Sequence, residues 1–165
     1  MGDLTPKPPS ASATEMVQVV LPNDANPLGY ILGGTVMHLI DIAAAIAAHR
    51  HTRARVVTAA VDGLRFLHPI RIGDLIILRA RVNAAFRTSL EVQVEVFSEE
   101  ALTGARRLTS QAYLTFVAVD ESGGCLPVTP LLLETDEDRQ RHDAAQVRRS
   151  ERLRRRQEEQ NGPRA

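Results

Sequence analysis

The chain has 165 residues, enough for one domain with a sizeable core. Its formal net charge is zero, which denies it the broad field of a general nucleic-acid binder, and its single cysteine, Cys125, excludes a disulfide framework. The first residues, M-G-D-L-T-P-K-P-P-S, lack the apolar run of a secretory signal and carry Pro6 where myristoylation needs Ser or Thr; the longest apolar run is too short to span a membrane, so a cytoplasmic location is expected.

Residues 1–14 are rich in Pro, Ser, Thr and Ala and read as a disordered N-terminal arm. Met16 to Leu21 is a short strand candidate that ends at Pro22. A polar, turn-rich loop follows, containing Asp24 and Asn26; Asn26 precedes Pro27 and is biased to extended backbone. The loop runs into the pair Gly33-Gly34 and then a segment to Ala48 made mostly of Ala, Ile, Leu, Val and Met, composition that predicts a helix. Apolar residues fall on nearly all sides of that helix, so it is expected to be buried with other structure wrapped around it.

One carboxylate, Asp41, interrupts this helix. An ionised carboxylate in apolar surroundings is costly unless it is paired or used, which makes Asp41 the first catalytic candidate. The free N–H groups of a helix start favour negative charge, and Gly33 and Gly34 let another group approach closely, so a backbone N–H there could hold an oxyanion. Asn26 offers both a donor and an acceptor, or else it caps an Asx turn before Pro27. A carboxylate, a carboxamide and an oxyanion site suit hydrolysis of an activated acyl group. His38 lies near the motif without a clear role. His49 and His51, in the basic stretch that ends the helix, fit solvated or capping roles, and no zinc-type ligand spacing is present, so no metal is expected.

A run of strand-like segments follows. Val56 to Phe66 is rich in β-branched residues, and His68 to Asp74 holds a turn at Gly73-Asp74. Leu75 to Val82 alternates, with Ile76, Leu78, Ala80 and Val82 on one face. Thr88 to Phe97 alternates most cleanly, setting Leu90, Val92, Val94 and Val96 against Glu91, Gln93 and Glu95, the pattern of a strand with one buried and one wet face. Arg87, Thr88 and Ser89 make a polar turn between two of these strands, and Arg107 to Val119 is the last long strand. One helix followed by antiparallel strands predicts an α+β fold, a curved sheet wrapped on one apolar helix. From residue 131 to 165 mixed charges dominate, as in E-R-L-R-R-R-Q-E-E-Q, and a solvated helical tail is expected.

The ordered set N-P-L-G-x-x-x-G-G-T-V-M-x-L-I-D (from Asn26 to Asp41), V-D-G-L-R-F-L-H-P-I-R-I-G-D (Val61 to Asp74), R-T-S-L-E-V (Arg87 to Val92) and A-Y-L-T-F-V-A-V-D (Ala112 to Asp120) resembles the hotdog-fold acyl-CoA thioesterases, the bacterial cytosolic type related to brain acyl-CoA hydrolase. The resemblance covers roughly residues 15–130, which it marks as a single hotdog domain between the N-terminal arm and the Arg-rich tail at 131–165. It implies that Asp41 is the catalytic acid; its expected role is general base on water, with direct attack by the carboxylate, through an anhydride, as the weaker variant. It further implies that Asn26 and Asp41 meet from two protomers of a homodimer, with hexamers of such dimers expected. Arg87, Thr88 and Ser89, with Gly33, would lie along the CoA moiety, with Arg71 and tail arginines adding charge; Thr58 and Asp62 sit on the strand that resembles the one lining the site. No cofactor beyond the substrate's own CoA is implied. The alternative it leaves is an acyl-CoA-binding sensor module of the same fold without turnover; a hotdog dehydratase is weaker, since the motif that pairs its His with an acid is not present.

Overall fold

The computed structural model describes residues 4–162 of the chain. Five strands, β1 (Thr14–Val19), β2 (Arg55–Phe66), β3 (Leu75–Ala85), β4 (Ser89–Glu99) and β5 (Arg106–Val119), form one antiparallel sheet in the order β1-β3-β4-β5-β2. The helix α1 (Gly33–Thr52) packs across one face, and a second helix, α2 (Asp136–Asn161), lies on the other. This is the α+β hotdog arrangement that the sequence predicts.

The main core lies between α1 and the inner face of the sheet. Val36, Leu39, Ile40, Ala43, Ala44, Ala47 and Ala48 recur at helical spacing and meet Leu78, Val82, Leu90, Val92, Val94, Val96, Leu114 and Phe116 from alternate strand positions. The four alanines let the helix sit close to the strands. The helix ends where Arg53 turns to φ 51° and returns its N–H to the carbonyl of His49, while the Thr52 hydroxyl bonds the carbonyl of Ala48. The expectation of burial on all sides is corrected: the sheet covers one side of α1, whereas Gly34, Met37 and His38 are exposed and Asp41, Ile42 and Ala45 are half-buried. The open side is the side that carries Asp41.

Two further expectations are overturned. From residue 4 onward the N-terminal arm is ordered: Lys7 N–H donates to the carbonyl of Pro130, Leu132 N–H donates to the carbonyl of Lys7, and Pro9 and Ser12 are buried. Prolines cannot build a ladder of their own, but backbone partners from residues 130–132 satisfy the segment. Residues 1–3 of the expected arm lie outside the described residues.

The second correction concerns the wet face of β4. Glu91 and Gln93 are buried, and Glu95 is half-buried. They lie beneath α2, whose Arg148 grips the Glu91 carboxylate with both Nε (3.0 Å) and Nη2 (2.7 Å) and stacks at 3.7 Å over the ring of Tyr113. Arg141 Nη1 donates to Gln93 Oε1 at 2.8 Å, and Arg81 pairs with Asp138. Ala145, fully buried, lets the helix approach the sheet. The tail is therefore a docked helix whose inward arginines are engaged by the sheet.

Candidate active site

Asp41 reaches the open side of α1 because it is offset from the buried stripe that runs through Ile40 and Ala44. There its Oδ1 accepts a 2.7 Å hydrogen bond from the hydroxyl of Thr58, near the start of β2. A cavity of about 300 Å³ adjoins the pair, floored by Met37, Ile40, Val61, Leu64 and Leu114. A single carboxylate, steered by a hydroxyl at the mouth of an apolar hollow, can hold a water molecule and take its proton. Thr58 carries no mark of its own beyond its place in a β-rich run and on the strand that the resemblance points to; the approach of β2 to α1 gives it its partner.

Asn26 is placed elsewhere. Its Oδ1 accepts from the N–H groups of Leu28 (3.0 Å) and Tyr30 (3.1 Å), so the Asx-turn reading is correct as far as the oxygen goes. With the oxygen engaged, the NH₂ group is the end left for a ligand. Asn26 lines a second cavity of about 300 Å³ with Tyr30, Gly33, Phe66, His68 and Ser110. Gly33 and Gly34 begin α1 there, and no side chain caps the first turn. A Cβ at Gly33 would meet the Phe66 ring at 3.5 Å, whereas one at Gly34 would meet nothing within 4 Å. Packing thus bears on Gly33, and Gly34 opens to free space.

Within one chain the two cavities stay apart. Gly33 and Asp41 are about 12 Å apart along the helix axis, and β2 runs between them from Thr58 to Phe66. The turn at Arg87, Thr88 and Ser89 lies at the Thr58 end, since Ser89 and Val57 both pair with Val117. That turn is pinned by bonds from Ala118 N–H to the Thr88 carbonyl and from Val128 N–H to the Arg87 carbonyl, which leaves the Arg87 side chain exposed. Asp62 is drawn to the opposite face of the sheet, where it pairs with Arg152. Arg71 forms a backbone bridge to Tyr30, near the Asn26 cavity, while the Asp24 carboxylate caps its own turn at Leu21 and its carbonyl accepts from Leu32 N–H.

A larger hollow, about 650 Å³, lies on the α2 side, between the N-terminal arm and the start of that helix. Its arginines are already matched: Arg79 by Glu15, Arg81 by Asp138, Arg141 by Glu137. Among the described residues there is no group of three or more His, Cys, Asp or Glu side chains placed to hold a metal ion, and no helix is long and apolar enough to cross a membrane.

Residues 28–105 match the family model described as the thioesterase superfamily. The chain is 40% identical over 133 residues to an uncharacterized acyl-CoA thioester hydrolase of Bacillus subtilis, covering 81% of this chain and 77% of that one. Among solved structures it resembles a hexameric acyl-CoA thioesterase (TM-score 0.87, 40% identity, 91% of this chain and 97% of the other). It also resembles an acyl-CoA hydrolase of Staphylococcus aureus solved with butyryl-CoA and CoA (TM-score 0.86, 36% identity, 94% and 95%). The latter protein has also been solved as variants with an aspartate, an asparagine or a threonine replaced by alanine. The fold, the helix that carries a carboxylate and these likenesses define a hotdog thioesterase. The chain belongs to the hotdog-fold acyl-CoA thioesterase family, close to its bacterial acyl-CoA hydrolases.

Proposed function

We propose that the chain hydrolyses acyl-CoA to free CoA and a carboxylic acid, with Asp41 as general base. The observation that carries this reading is the Thr58–Asp41 hydrogen bond at the mouth of an apolar cavity. Asp41 removes a proton from water as the water oxygen bonds to the thioester carbonyl carbon. The resulting oxyanion takes hydrogen bonds from the N–H of Gly34 and from the Asn26 amide. Collapse breaks the carbon–sulfur bond, and the proton held by Asp41 passes to the departing thiolate. The three residues replaced in the Staphylococcus aureus protein follow the order and spacing of Asn26, Asp41 and Thr58 here, which supports these assignments.

Because one chain keeps Asn26 and Asp41 in separate cavities, the working site is assembled from two protomers: Asn26, Gly33 and Gly34 of one face Asp41 and Thr58 of its partner. The exposed apolar residues along this side, Met37, Val61 and Phe66, suit burial between copies. Such dimers assemble further into a hexamer, as the hexameric relatives suggest. Arg87, Thr88 and Ser89 bind the phosphate and pantetheine portion of CoA, at the same end of the sheet as Thr58. The enzyme acts in the cytoplasm. The domain proper spans residues 15–130, with α2 as an appended support.

The test is thiol release from a panel of acyl-CoA chain lengths. Wild-type protein should release CoA, and Asp41→Ala should lose at least about a thousandfold in kcat while keeping CoA affinity. Mixed Asn26→Ala and Asp41→Ala subunits should recover part of the activity after exchange. Silence of the wild type at every chain length would leave only a binding module.

A further inference from the structure

We propose that the cavity beside Asp41 receives the acyl chain, and that its floor makes the substrates short- and medium-chain acyl groups without a polar far end. The inference rests on the role given to Asp41 above. The polar side chains of this cavity, His38, Asp41 and Thr58, are exposed or half-buried and stand at its opening. The rest of the wall is apolar, and its deepest members are Ile40 (2% exposed) and Leu114 (1%). A thioester attacked by a water on Asp41 has its carbonyl at the opening, so the acyl chain runs inward toward Leu114. Every methylene on that path leaves water for an apolar wall. The cavity at Asn26 suits such a chain less well, because Tyr30, His68 and Ser110 bring polar groups to its wall.

The floor is fixed by one chain alone. Leu114 of β5 stands between Val61 of β2 and Val92 of β4 in the sheet. Val92, Ala43 and Ala44 are fully buried in the same core. A core packed in this way does not open for an added methylene. A partner laid over the opening adds nothing at this depth. The cavity measures about 300 Å³. At roughly 30 Å³ for a water-sized heavy atom, it holds about ten. The carbonyl oxygen and the attacking water take two of these places, which leaves an acyl group of about eight carbons. A carboxylate at the far end of the chain would lie unpaired against Leu114, stripped of water with nothing in exchange.

Thiol release by the whole protein tests this, with saturated acyl-CoA from acetyl to palmitoyl below micellar concentrations and with adipoyl-CoA beside hexanoyl-CoA. The expected kcat/KM rises with each methylene, by at most about fourfold per carbon, peaks near octanoyl and falls at least about tenfold by palmitoyl. Adipoyl-CoA should be at least about a hundredfold poorer than hexanoyl-CoA. Leu114→Ala deepens the floor and should move the peak to longer chains; Leu64→Phe fills the cavity from the β2 side and should move it to shorter ones. The readout is the ratio of decanoyl to butyryl kcat/KM within each variant, from which any loss of folded protein cancels. A peak at palmitoyl in the wild type overturns the proposal, as does a profile with no peak or adipoyl turnover equal to hexanoyl turnover. An unmoved ratio in both variants overturns it equally and places the chain elsewhere. Should Leu114→Ala fail to fold, Leu64→Phe and the wild-type profile decide. A wild type inert at every length, or an active Asp41→Ala, removes the reading of the site itself. An active wild type with a dead Asp41→Ala and a palmitoyl peak removes only the limit set by the floor.

Discussion

The two faces of the sheet are built from alternate residues of the same strands and are held by different forces. On the α1 face, Leu90, Val92, Val94 and Val96 of β4 pack against alanines and branched aliphatics with no polar group between them. On the α2 face, the intervening Glu91 and Gln93 meet Arg148 and Arg141 through directed bonds. The first face is stabilised by loss of apolar surface from water, which tolerates small shifts. The second depends on charge-assisted bonds of fixed geometry, and so gives a definite register rather than a large net gain. The side of α1 that carries Asp41 is open, whereas the arginine-laced face is covered by α2.

The largest effect should come from breaking the apolar face. Phe116→Ala, in a side chain fully buried beneath α1, should cost about 3–5 kcal/mol by denaturant unfolding, because it removes a large apolar group and leaves a cavity. The arginine face should respond differently to single and paired changes. Arg148→Met leaves Glu91 buried without its partner and should cost about 3 kcal/mol. Burial works against the charge on Arg148, but the Glu91 carboxylate outweighs it and keeps the guanidinium firmly protonated, so mild alkali cannot break the pair. Adding Glu91→Leu to Arg148→Met should restore most of the stability, as no charge is then stranded. If the double variant proves as unstable as the single one, packing and not the stranded carboxylate governs this face.

These two faces were unequally legible in the sequence. The alternation in β4 and the apolar run of α1 reveal the inner face directly, because apolar burial leaves a periodic trace in one strand or helix at a time. The interruption by Asp41 is legible for the same reason. The outer face leaves no such trace. Glu91 and Gln93 look solvated until the tail is laid on the strand, where Arg148 and Arg141 meet them; E-R-L-R-R-R-Q-E-E-Q, further on, is exposed as it looks apart from Arg152, which pairs with Asp62. The ordered arm is hidden in the same way: Lys7 is fixed by residues 130–132, far along the chain, and its local composition of Pro and Ser argues only for mobility. Thr58 belongs with these, since its value depends on which helix it faces.

His51 gives a smaller effect that joins the arm to the core. It is fully buried at the end of α1, with Nε2 donating to the carbonyl of Thr129 at 2.8 Å and Nδ1 without a partner. Burial pushes its pKa below the ordinary 6.5, and the nearby Lys7 ammonium adds to the push. In the unfolded chain the imidazole takes up a proton near 6.5, and in the folded chain only at lower pH. The unfolded state thus binds more protons in that window, and stability falls as the pH drops below 6.5. The slope should be at most about 1.4 kcal/mol per pH unit for this one group. Melting of wild type and His51→Gln at several pH values checks it: the variant is less stable at neutral pH but should lose less on acidification.

The smallest effect separates the faces most directly, because it should touch only one of them. α2 begins at a capping box: the Thr135 hydroxyl accepts from Asp138 N–H at 3.0 Å, and the Asp138 carboxylate accepts from Thr135 N–H at 3.2 Å. Thr135→Ala removes one of these bonds and should cost about 1 kcal/mol. That cost falls on α2, which has little apolar contact to fall back on beyond Ala145. Amide exchange in α2 should therefore quicken about fivefold, as expected for a loss of this size, while the slow amides of β3, β4 and α1 keep their wild-type rates. Such a split would mean that the arginine-laced helix opens as a unit of its own. If the whole chain loses protection together, the two faces belong to one cooperative unit, and α2 is as much a part of the core's stability as α1.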